Sequence, residues 1–201
     1  MNVFGMNPNY PNLNACLNWQ GDNTILTLYG IADGFKLAGD NIVEQIIADG
    51  GYDIDKKIFP AVFLYRHFME IALKELIERC LVIEQQLGKN IKRFSKNHKI
   101  KELLDHLNLM LIDISEISPI SIPNETQEII KEFGIVDESS MNFRYATKKD
   151  DSVIKHPIDY VSIPDLYTYV TIVYNDIDTL RNILDGLTWS LADSHELLIN
   201  E

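Results

Sequence analysis

The chain of 201 residues is poor in cysteine: Cys16 and Cys80 stand far apart, with no CxxC spacing. That scarcity excludes a disulfide framework and a zinc ribbon. Long hydrophobic runs are also missing. The longest, Ile58 to Tyr65, falls far short of the about 20 residues that a membrane-spanning helix needs. The opening stretch MNVFGMNPNYPNLNACLNW lacks a basic n-region and an apolar core, so no signal peptide is expected and a reduced, cytoplasmic setting is the default. No phosphate-binding glycine loop, nucleophile elbow or zinc signature occurs, and no cofactor or metal is expected. Positive charge is scarce too. With 18 Lys+Arg against 30 Asp+Glu the formal net charge is −12, which argues against broad binding to nucleic acid or anionic membrane.

What remains is an ordinary globular composition, 46% hydrophobic and 24% charged, with apolar residues at helical spacing. Residues 1–20 are rich in Asn and Pro and read as an irregular arm, ahead of a single helical domain over 21–201. The pattern predicts helices over about 22–47, 55–86, 97–112, 124–133 and 162–198. Gly50-Gly51 and Gly88 mark helix ends. Pro60 reads as a helix-start proline, and Asn124 with Gln127 as a capping box. Gly30, Gly34, Gly39 and Gly186 are candidate bends. Residues 134–161 carry no helical period and read as a long insert, with a small hairpin pairing Asn142–Tyr145 and Val153–His156. The fold class is therefore all-α: a helical bundle with an irregular insert before the last helix. That helix carries Tyr167, Tyr169, Val170, Ile172, Val173 and Tyr174, more apolar surface than one bundle face needs, and so predicts a homodimer.

The helix over 55–86 is apolar around most of its circumference, as a central helix should be. Its polar stripe is Arg66, His67, Glu70 and Lys74, within about 100° of one another on a helical wheel. One reading is a solvated ladder of i,i+4 pairs, Arg66–Glu70 and Glu70–Lys74. The other is a stripe that faces a groove and binds an anion, or is met by the basic segment that follows. His67-x-x-Glu70 also offers metal ligands one turn apart, on a single pair alone.

Residues 88–101, GKNIKRFSKNHKIK, hold Lys89, Lys92, Arg93, Lys96, Lys99 and Lys101 with no acid. Basic residues around an aromatic, here Phe94, suit phosphates and a stacked base. The opposing reading is a solvated turn, or an island paired with the acidic residues of 175–201. Arg93 and His98 stand with four residues between. An arginine clamping a phosphate beside a histidine acting on a ribose hydroxyl suits RNA cleavage. In the insert, Arg144 between Phe143 and Tyr145 serves equally as a base or anion contact and as an anchor.

Three segments resemble HEPN-like bacterial proteins: Phe63-Leu-Tyr-Arg-His67-Phe-Met-Glu70-Ile-Ala-Leu73-Lys74, then His98-Lys-Ile-Lys-Glu-Leu103-Leu104, then Phe143-Arg144-Tyr145. The resemblance implies an α-helical bundle, often dimeric, from families tied to phage defence, toxin–antitoxin pairs and RNA cleavage. Catalytic members carry Arg-x(4–6)-His in a later helix; here the match is Arg93 to His98, and the last helix has none.

Three functions follow. The first is a non-catalytic HEPN-like module binding RNA, a nucleotide or a protein partner encoded nearby, through Arg66, His67, Glu70, Lys74, Lys92, Lys96, Lys99, Arg144 and Tyr145. The second is a metal-independent endoribonuclease using Arg93 and His98. The third is a structural interaction protein whose acidic surface docks a basic partner.

Overall fold

The computed structural model describes residues 8–9, 11–13, 15–89, 97–138, 140–147 and 150–199, with the backbone alone at 11 and 195–199. Among these residues the fold is all-α. After a short 3-10 turn at Pro11–Leu13 come α1 (Thr24–Ala48), α2 (Ile54–Gln86), α3 (Ile100–Ser115), α4 (Asn124–Val136) and α5 (Ile163–Ile199).

Glycine fixes two of the helix ends. After α1, Gly51 N–H donates to the Ile46 carbonyl and Gly50 N–H to that of Ile47, with both glycines at positive φ. After α2 the same paired bonds join Lys89 to Glu84 and Gly88 to Gln85. Both are Schellman ends, which need a left-handed residue just past the helix. At the start of α1, Asn23 accepts from the Leu26 N–H at 2.9 Å, a side-chain cap.

Other local expectations are corrected. Pro60 lies inside α2, beyond the first turn where its missing N–H costs nothing, so it removes one i→i−4 bond. The capping box at α4 does not form. Pro123 is the N-cap and Asn124 is already helical, while Gln127 spends its amide on Asn108 and the Ile122 carbonyl. α1 runs unbroken through its three glycines, and α5 through Gly186. The expected hairpin reduces to one isolated bridge, Thr147 with Val153. Residues 142–144 instead form a turn in which the Arg144 and Tyr145 N–H groups donate to Met141.

α2 is the centre. It packs against α1, α3 and α5 and supplies the largest share of the buried residues, with Phe68, Met69 and Leu73 fully enclosed. Contacts Phe68–Tyr174, Glu75–Arg181 and Gln86–Thr188 show α2 and α5 running parallel. α1 runs antiparallel to both, through Asp40–Tyr65, Asp33–Tyr174 and Glu44–Tyr167. At Gly39 a Cβ would lie 2.6 Å from the Tyr65 ring, so the two helices approach this closely only because glycine is there.

Part of the apolar surface behind the homodimer expectation is used within the chain, while Tyr169 stays exposed. Val170 and Val173 are buried in the core, and the Tyr167 and Tyr174 hydroxyls donate to Glu44 and Asp33 on α1. No described helix is long and apolar enough to cross a membrane.

Two predictions follow from the packing. Gly39→Ala should lower the urea-unfolding free energy by about 1–3 kcal/mol, the usual cost of overpacking. Burial, with Glu84 beside it, pushes the Cys80 thiol up to about 12. A thiol reagent at pH 8 should therefore label exposed Cys16 rapidly and Cys80 only in denaturant.

Candidate functional site

The polar stripe of α2 is not a solvated ladder. Arg66 is 0% exposed and Glu70 1%, because segments from elsewhere in the chain cover them. The Arg66 guanidinium spends Nε on the Asp137 carbonyl at 2.9 Å, one terminal nitrogen on Glu70 at 2.8 Å and the other on the His98 carbonyl at 2.6 Å. One side chain thereby ties α2 to the end of α4 and to the approach to α3. α3 accordingly begins at Ile100, three residues later than the periodicity predicts, with the His98 carbonyl held by Arg66.

Glu70 is the acceptor for three groups. Oε2 takes Arg66, and Oε1 takes Lys74 Nζ and His98 Nδ1, both at 2.7 Å. Burial alone pushes the Glu70 carboxyl up, but the hydrogen bonds from Lys74, Arg66 and His98 outweigh it and hold it below its ordinary value. An ionised carboxylate only accepts, so His98 Nδ1 carries the proton. The His98 side chain is 71% exposed, and Nε2 makes no hydrogen bond among the described residues. A histidine oriented by a buried carboxylate, with its second nitrogen open, can accept a ligand proton or donate to a phosphate.

The insert closes over the same place. Asp137, 1% exposed, accepts the Met141 and Asn142 N–H groups through Oδ1, an Asx-type turn. Its Oδ2 lies 3.7 Å from Arg66. Arg144 Nε donates to the Ser140 carbonyl at 2.6 Å, and its guanidinium lies 5.3 Å from the Phe63 and Tyr145 rings. Phe143 packs on Phe59 and His156. Arg144 and Tyr145 are both exposed, so the loop is anchored and still presents a cation and a ring.

His67 takes a different part. It sits between Phe35 and Phe63, with centroids 4.4 and 5.6 Å away. Burial, reinforced by Arg66, Lys74 and Arg144 against the opposing pull of Glu70, lowers its pKa. A neutral ring among aromatics is no anion contact. His67 and Glu70 are not one metal donor set, since Glu70 is committed to its three donors. Arg66 and Glu70 are likewise corrected from direct ligand contacts to the frame beneath the site. Among the described residues, Lys74 and His98 contact Glu70 directly, and exposed Arg144 and Tyr145 lie on the loop that follows Asp137.

Of the basic segment, Lys92, Arg93 and Lys96 lie outside the described residues. Lys99 pairs with Glu102 at 2.8 Å and Lys89 donates to the Asp113 carbonyl at 3.1 Å. Both partners belong to α3. Two acids of 175–201 are also engaged elsewhere, Asp176 by Thr126 and Asp185 by Arg79.

A second buried charge cluster escaped the sequence reading. Glu75, fully enclosed, accepts Arg79 Nε at 2.8 Å and an Arg181 terminal nitrogen at 2.6 Å, and Arg79 also pairs with Asp185. Arg181 lies over the Tyr29 ring. The Glu75–Arg79 spacing of four was a readable signal, on the side of α2 away from the stripe. The cluster joins α1, α2 and α5, leaves no cation facing solvent, and is structural.

Removing one partner of the Glu70 cluster strands a buried charge. Arg66→Met should cost about 3–5 kcal/mol in urea unfolding. The pH dependence has a definite sign. Glu70 and His67 both have folded pKa values below their ordinary ones, so the unfolded chain binds their protons more readily and acid destabilises the fold. Melting temperature should fall as pH drops below the ordinary histidine value of 6.5, and fall further below the ordinary glutamate value of 4.5. His67→Phe should flatten the first part of the curve and Glu70→Gln the second.

With this geometry in hand, the chain matches no protein-family model, no curated protein and no solved structure.

Proposed function

We propose that the protein is a binding module for a phosphate-bearing ligand, single-stranded RNA foremost. The ligand docks over the Glu70 cluster on Lys74, His98, Lys99, Arg144 and Tyr145, and continues along Lys92, Arg93 and Lys96. The observation that carries this reading is the placement of His98. Its ring is tied to Glu70 and its carbonyl to Arg66, whose third arm holds Asp137. One end of the basic segment is thereby fixed beside the Arg144–Tyr145 loop.

Charge supports the same reading. Lys74, Lys99 and Arg144 stand around the buried Arg66–Glu70 pair, and with Asp137 beside Arg66 and Glu102 and Glu138 beside Lys99 the charges there balance, within a chain of net charge −12. A face richer in cations than the rest of an acidic protein favours a defined phosphate contact over indiscriminate adsorption. The exposed Tyr145 ring beside Arg144 offers a surface on which a base can stack. The HEPN-like resemblance rests on the segments that supply Arg66 to Lys74, His98 and Phe143 to Tyr145. It further implies a dimer and a role in bacterial stress or phage defence, with a protein partner encoded nearby.

The test is a titration of fluorescent single-stranded RNA at several salt concentrations. Neutralising Lys92, Arg93, Lys96 and Lys99 to Gln should reduce the slope of log affinity against log salt by about 3 in magnitude. Loss of the Lys99 pairs should barely move the melting temperature, because both are exposed. Unchanged RNA affinity in this variant would refute the reading.

One observation favours a second reading, a metal-independent endoribonuclease. The Glu70–His98 pair engages Nδ1, and Nε2 makes no hydrogen bond among the described residues, as a general acid or base on a ribose hydroxyl requires. Incubation with total RNA in EDTA should then yield fragments ending in cyclic phosphate. His98→Ala should abolish cleavage while keeping most of the binding.

A further inference from the structure

We propose that the groove between α4 and the first turns of α5 is a second ligand site, specific for a small amphiphilic organic cation. The groove encloses about 270 Å³, a little less than drug-sized pockets, which begin at about 300 Å³. Buried Ile129 and Leu166 line its depth, and Tyr160 and Tyr169 add exposed aromatic rings. An apolar body of about a dozen non-hydrogen atoms suits such a space.

The charge of the lining selects the head group. Glu132 and Asp165 both line the groove and are exposed. Among the described residues, neither forms an ion pair or a side-chain hydrogen bond, and no Lys, Arg or His lines the groove. Two exposed carboxylates without an ion-pair partner among the described residues, beside two exposed tyrosine rings, attract a cation and repel an anion of the same shape, Asp165 less strongly than Glu132 because it lies in the first turn of α5. The preference is opposite to that of the phosphate-binding surface proposed over Glu70, so the two sites take different ligands and this inference does not rest on the RNA reading.

The test uses three probes with one body: phenylbutylammonium, phenylbutanol and phenylbutyrate, titrated into the full chain by calorimetry at pH 7. The ammonium should bind about ten-fold tighter than the carboxylate, the sum of an exposed cation–π contact and exposed ion pairs, with the alcohol between them. Glu132→Gln with Asp165→Asn should bring ammonium and alcohol to equal affinity. Tyr160→Ala, at a lining position 93% exposed and so without consequence for folding, should weaken the ammonium more than the alcohol. Equal binding of all three probes to the unaltered chain would overturn the proposal. So would binding of none, or a cation preference that survives the double variant.

Discussion

A carboxylate taken out of water must find its charge partners inside the protein or give up its charge. Glu70 keeps its charge because three donors converge on it from two parts of the chain. Much of the architecture on this side of the bundle follows from that requirement. Arg66 must lie one turn before Glu70 and Lys74 one turn after, which α2 provides. His98 must come down onto the helix, which fixes where α3 begins. The remaining Arg66 donors must be satisfied, which brings in the end of α4 and the turn that follows it. The energetic gain from a buried ionic cluster over an apolar one is small or negative. Its effect is to make one arrangement of these segments far better than its neighbours.

The second cluster, around Glu75, does the same for the other side of α2. It ties that helix to α5, with Tyr29 of α1 lying under Arg181. The two clusters differ in what they present outward. The Glu75 cations are spent on carboxylates, and their outermost member is the acid Asp185. The Glu70 cluster ends in an exposed imidazole and lies beside an exposed arginine and tyrosine. That asymmetry within one helix separates a closed joint from the proposed binding surface.

Much of this was legible in the amino-acid order where the cause is local. Gly50-Gly51 and Gly88 ended their helices as expected, since a left-handed residue just past a helix is a one-residue requirement. The all-α class and the central place of residues 55–86 followed from apolar periodicity. The Arg66, Glu70 and Lys74 pairs were visible as spacing, but their burial was not, because the covering groups come from His98 and from Asp137, 32 and 71 positions away from Arg66. Arg181 reaches Glu75 across 106 positions, a distance no local pattern reports. The capping box at Asn124 failed for the converse reason. A suitable local pair was present, but Gln127 had a better use for its amide on α3.

Arg66 holds His98 and Asp137 by their backbone carbonyls, and a carbonyl survives any exchange of side chain. The scaffold at these two positions is therefore separable from the chemistry displayed there. Evolution can replace the His98 imidazole with another group and still inherit one of the two ties that hold the segment in place. Arg66 has no such freedom, since no other side chain offers three hydrogen-bonding arms in one plane. Change of the displayed side chain within this architecture is thus cheap at position 98 and nearly closed at position 66.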